Sequence, residues 1–211
     1  MKKLIITFLL FPLLSFSQFN FGVKGGFLNS QIIYEYDDFS SSKNSFYIGV
    51  FSEYKMSKFA INTNLDYTNT GANYKYTGGF ISPLAAESSL SLNQLNLSIT
   101  SRYYIIEKLS IGIGGYFGLI LNGEYDWSKA NKTFNEEIKN PDFEGSKIDY
   151  GLTGGLEFEI YKGIFIEGRY MFGLKDLVKG TKDYTIDFGK EPNDFVESKN
   201  RSLLFGLGYK F

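Results

Sequence analysis

Eight separate segments of this chain repeat their character every second residue. Segment 19–28 sets Phe19, Phe21, Val23, Gly25 and Phe27 against Asn20, Gly22, Lys24, Gly26 and Leu28. The same alternation runs through 46–54, 59–68, 94–103, 109–121, 148–160, 164–174 and 202–211. A period of two places successive side chains on opposite faces of a strand, so each segment reads as a strand with one apolar face and one polar or small face. In 46–54 the phase is poorer, because Phe51 falls among the polar positions. Most segments are near ten residues, the length a tilted strand needs to cross a bilayer.

The connections alternate as well. Met56-Ser57-Lys58, Ile106-Glu107-Lys108 and Tyr161-Lys162-Gly163 read as tight turns, whereas 30–45, 73–89, 126–146 and 175–201 read as long polar loops. An even number of strands, with short turns at one end and long loops at the other, is the pattern of a transmembrane β-barrel. The fold class expected is all-β, an eight-stranded antiparallel up-and-down transmembrane β-barrel. Residues 1–17 read as a signal peptide: Lys2 and Lys3, then an apolar run over 4–14, then Ser15-Phe16-Ser17 before the cut. That run is too short to span a membrane as a helix. Residues 18–211 form the barrel domain, and the expected location is the cell outer membrane.

A backbone crossing lipid must satisfy its N–H and C=O groups internally, which forces the sheet to close. The apolar face then meets hydrocarbon, and the polar face fills a narrow lumen. Lys24, Lys55, Arg102, Arg169 and Lys210 therefore point inward, with Glu53, Asp66, Glu157, Glu159 and Glu167. Buried charges persist when paired. A lumen ion-pair network of Lys24, Glu53, Asp66, Arg102, Glu157, Glu167 and Arg169 is expected, with Arg169 set against Glu157, plugging the barrel. Phe19, Tyr54, Phe59, Tyr103 and Phe211 would form the periplasmic aromatic girdle, and Phe46, Tyr67, Tyr125, Tyr150 and Tyr170 the outer one. The soluble alternative is a lipocalin-like barrel with the faces exchanged; the alternation alone does not choose between them, and a need for detergent on extraction does.

Composition removes much chemistry. The chain has no His and no Cys, so the commonest general base, thiolate metal sites and disulfides are absent. A net charge of −1 gives no footprint for nucleic acid. Glu157 and Glu167 form a conceivable acid/base pair, but an interior ion-pair role suits them better. The Gly25-Gly26, Gly112-Gly114-Gly115 and Gly154-Gly155 runs lack the Lys-Ser/Thr and helix of a phosphate loop; they relieve crowding in a narrow barrel. The acidic stretches 35–38 and 183–197 have no calcium-loop spacing. Trp127, the only Trp, fits the outer membrane interface.

Phe21-Gly22-Val23-Lys24-Gly25-Gly26 resembles the first strand of the PorT-like outer membrane β-barrel proteins. So do Asp149-Tyr150-Gly151-Leu152-Thr153-Gly154-Gly155-Leu156-Glu157, Glu167-Gly168-Arg169-Tyr170-Met171-Phe172-Gly173-Leu174, and the terminal Leu207-Gly208-Tyr209-Lys210-Phe211. Leu95-Asn96-Leu97 departs from the Pro often found in the fourth strand of relatives. The resemblance implies an integral outer membrane barrel of the Bacteroidota type. Its final Phe211 resembles the signal read by the barrel-assembly machinery. The function expected is a structural or interaction protein working through extracellular loops, without catalysis. The alternative is an accessory component of an outer membrane secretion or transport system of type IX kind. Expected partners are outer membrane lipid, the assembly machinery during biogenesis, and a protein at the extracellular or periplasmic side. No cofactor and no metal is expected.

Overall fold

The computed structural model describes residues 19–34, 40–76, 86–126, 145–177 and 198–211. The signal-peptide reading, Trp127 and the two acidic stretches lie outside these residues. Within them the chain is a closed barrel of eight antiparallel strands, each paired with its sequence neighbours. They are β1 (Phe19–Tyr34), β2 (Ser40–Met56), β3 (Phe59–Tyr76), β4 (Ala86–Ile106), β5 (Leu109–Asp126), β6 (Ile148–Tyr161), β7 (Ile164–Asp176) and β8 (Ser198–Lys210). Closure comes from β1 against β8, from Gly22 opposite Lys210 to Tyr34 opposite Ser198. The three short turns fall where the sequence places them. At Lys162-Gly163 both φ angles are positive, 38° and 85°, the twist that a two-residue hairpin requires.

The strands run further than the alternation reaches. β1 continues to Tyr34 and β2 begins at Ser40, where a loop over 30–45 is expected. β3, β4 and β8 extend likewise into the expected loops at 73–89 and 175–201. The reason is that the polarity of the wall reverses with height. From Phe19 to Phe27 the outward residues of β1 are apolar or glycine, and the next two, Asn29 and Gln31, are polar. Inside, the order is opposite: Lys24 near the turn end, then Leu28 and Ile32 further out. About nine residues of tilted strand give an apolar belt roughly 25 Å tall, the thickness of an outer membrane barrel's band. Beyond it Ile32, Ala72, Tyr74, Leu90, Leu92, Ile120 and Leu177 pack together inside the barrel. There the wall shifts towards the rule of a soluble barrel, polar outside and apolar inside, although Ile33 still faces outward and Ser30 and Asn200 inward. A reading keyed to outward apolar residues loses the strands at that height.

The register shifts between Ser42 and Tyr47 in β2 and between Asn93 and Gln94 in β4 fall at this same level. At the second, the extra residue on β5 lets Leu121 and Asn122 both face outward. The change also carries Tyr125 inward, where it packs on the apolar cluster, so it is not part of the outer girdle. At the turn end the girdle rings do meet: Phe19 with Tyr54 at 4.9 Å, Phe59 with Tyr103 at 5.1 Å and Tyr209 with Phe211 at 5.4 Å. Phe51, out of phase in the sequence, is buried inside, edge-on to Phe165 at 5.5 Å.

Glycine makes room for the large inward groups. A β-carbon at Gly206 would overlap the Tyr47 hydroxyl. Gly206→Ala is therefore expected to cost about 1–3 kcal/mol, as overpacking does. Tyr47→Ala in the same chain removes the overlap, so the two changes are expected to be non-additive when denaturation midpoints are compared.

Candidate functional site

The inward polar positions converge on two balanced clusters. Nearer the turns, Arg102 of β4 reaches Glu157 of β6 and lies 3.5 Å from Glu53 of β2. Lys210 of β8 stands 2.5 Å from Glu157 and 3.5 Å from Glu53. The Tyr104 hydroxyl donates to Glu53 at 2.7 Å. Two cations and two carboxylates thus link four strands across the lumen.

The second cluster sits above it. Lys24 of β1 lies 3.2 Å from Glu167 of β7 and 3.7 Å from Asp66 of β3, and donates to Asn64 Oδ1 at 2.7 Å. Arg169 of β7 pairs with Asp66 at 2.7 Å and with Glu167 at 3.7 Å. Tyr47 donates to Glu167 at 2.7 Å. All eight charged residues are buried apart from Lys210, which is half-buried. The rotation of the sheet explains the convergence. Each inward position is fixed by period two, and closure brings β1 and β7 within side-chain reach of β3.

The structure brings together all seven residues assigned to the network from sequence, but not all of the pairs. Arg169 bonds across the barrel to Asp66, and Glu157 to Arg102 and Lys210; the Arg169–Glu157 pair expected across the hairpin is replaced. Register accounts for it: Arg169 stands opposite Gly155, while Glu157 stands opposite Glu167. Two like charges face each other there, so Glu157 turns to cations on β4 and β8, and Glu167 to Lys24 of β1 and Arg169 of its own strand. This also places Glu157 and Glu167 under four cations between them, which suits ion pairing and not proton transfer.

Lys55 and Glu159 lie at the turn-end mouth, both half-buried. Lys55 Nζ stands 3.7 Å over the Tyr104 ring, and Glu159 accepts from the Gly163 N–H at 3.2 Å. Sequence reasoning missed Asp149. It is buried further out, taking hydrogen bonds from Tyr116 at 3.0 Å and Asn200 at 3.1 Å. Its place on the polar face of β6 was visible; its partners, far along the chain, were not.

A family model described as "Outer membrane protein beta-barrel domain" matches residues 13–179. The chain belongs to this family. It is an outer membrane β-barrel protein, and its apolar outward belt is the face that meets lipid. Among solved structures it is similar to Neisserial surface protein A (NspA), with a TM-score of 0.53 and 12% identity over 90% of this chain and 97% of that one. It is also similar to OprG from Pseudomonas aeruginosa, at 14% identity and a TM-score of 0.45 over 91% and 95% of the two chains. Ail of Yersinia pestis matches at 12% identity and 0.46 over 91% and 98%. At these identities the likeness is one of fold. No curated protein matches the chain.

Proposed function

We propose that this barrel is closed to ions and works as an interaction protein through the segments joining its strands at the outer end, without catalysis. The observation that carries the reading is the pair of balanced clusters at mid-depth. Eight charges from seven strands (all but β5) are tied across the lumen in these two clusters, and opening it would separate them in a low-dielectric interior. Above them the apolar cluster around Leu90 and Leu92 fills part of the lumen. β3 and β4 run about eight residues beyond the belt before the segment that joins them, roughly 20 Å of tilted strand. Binding sites concentrate in such segments on rigid scaffolds.

Reconstituted in a planar bilayer, the protein is expected to give no stable open-channel current, and a persistent large conductance would overturn the closed lumen. Deletion within 178–197 is expected to leave folding intact while abolishing binding to a surface partner. The subfamily reading is PorT-like, with Phe211 as the residue presented to the assembly machinery; Phe211 is exposed and closes the sheet through its N–H to Phe21 at 2.8 Å. A part in type IX secretion rests on that resemblance alone.

A further inference from the structure

Just beyond the apolar belt, an unbroken chain of side-chain hydrogen bonds crosses the outside of the wall. Lys43 Nζ, in the irregular part of β2, donates to Asn69 Oδ1 at 2.7 Å and to Ser91 Oγ at 2.5 Å. Asn69 Nδ2 donates to Asn93 Oδ1 at 2.6 Å, and Asn93 Nδ2 to Asn122 Oδ1 at 2.7 Å. The chain thus spans β2, β3, β4 and β5 at one height. Each Asn follows the last outward apolar residue of its strand: Tyr67, Leu95 and Leu121.

The direction of this chain is fixed by chemistry. An ammonium donates and never accepts. The oxygen of Asn69 must therefore face Lys43, which turns its amide nitrogen to Asn93, and so on to the end. Aligned amides polarise one another, with the cation at their head. The last donor, Asn122 Nδ2, is left on an exposed residue facing away from the barrel. Two residues further on the same face stands the exposed carboxylate of Glu124. A polarised N–H donor beside a carboxylate acceptor matches a sugar, whose neighbouring hydroxyls accept and donate at once. A phosphodiester without a hydroxyl offers acceptors only and would meet Glu124 with like charge. Directly below, Phe117, Leu119 and Leu121 expose an apolar surface at acyl-chain depth.

We propose that this rail binds the saccharide headgroup of a glycolipid in the outer leaflet, with Asn122 donating to one hydroxyl and Glu124 accepting from the next. The lipid then forms a fixed ring segment along β3–β5, and the barrel holds a preferred lipid and not a random one.

The protein is reconstituted in detergent with a diglucosyl diacylglycerol, an uncharged sugar headgroup, or with phosphatidylmethanol, an anionic phosphodiester that has no hydroxyl. Lipid retained per barrel after washing is counted by native mass spectrometry. Wild type is expected to retain the glycolipid about tenfold more than phosphatidylmethanol, the worth of one or two polarised hydrogen bonds. Asn122→Ala and Lys43→Gln are expected to bring the ratio close to one. Asn29→Ala, outside the chain of bonds, is expected to leave it unchanged. Equal retention of the two lipids by wild type overturns the proposal. So does an unchanged ratio in Asn122→Ala, whose rail is otherwise intact, or a rail that on Asn93→Ala loses thermal stability without any change in lipid preference.

Discussion

Replacing Arg102 with methionine is expected to destabilise the barrel by about 3–5 kcal/mol, the cost of leaving a buried ion partner uncompensated. Arg102 bridges Glu53 and Glu157, as Lys210 does from β8. Without it, two buried carboxylates share the single ammonium of Lys210. Adding Glu157→Gln restores one cation to one carboxylate, so the double variant is expected to regain a large part of the loss. The measurement is the denaturant midpoint of the folded, heat-modifiable band on electrophoresis, taken from lipid vesicles. A double variant no more stable than Arg102→Met alone would mean that the cost is lost packing and not lost charge balance. Asp66→Asn probes the second cluster in the same way, because Arg169 and Lys24 then share Glu167.

The alternation predicted eight strands and their facing because a bilayer and a narrow lumen impose opposite demands on successive residues. That signal is local, and it is strong in the belt, where Phe59, Ile61 and Leu65 alternate with Ala60, Asn62 and Asp66. It weakens where water replaces lipid. Ile32 and Ile33 are adjacent and point to opposite faces, so nothing in the sequence marks the reversal between them. The list of inward charges was legible for the same local reason. Their pairing was not, because all but the Arg169–Glu167 pair join residues far apart in the chain, up to the 157 positions between Lys210 and Glu53, and such partners are set by closure and register. Glu157 and Glu167 look like ends of one hairpin with Arg169 between them in reach. Only the register, with Glu157 facing Glu167, sends each to a different cluster.

The same reversal makes depth measurable along one strand. Ile99 and Ser89 both point outward from β4, ten residues apart. Ile99 lies in the middle of the apolar belt and is 55% exposed to whatever surrounds it. Ser89 lies above, opposite Asp126 of β5. Ile99→Arg is expected to cost about 2–4 kcal/mol in a bilayer, the price of a guanidinium at mid-depth, whereas near or beyond the interface the same residue costs about 0–1 kcal/mol. Ser89→Arg is therefore expected to change stability little, with Asp126 near enough to favour it. The comparison cancels the strand, the face and the substituted side chain, leaving only the surroundings. Equal costs at the two positions would mean that the belt does not end at Asn93 and that the outer part of the wall is also in lipid. Unequal costs in the expected order fix the membrane boundary between them, at the level of the amide rail.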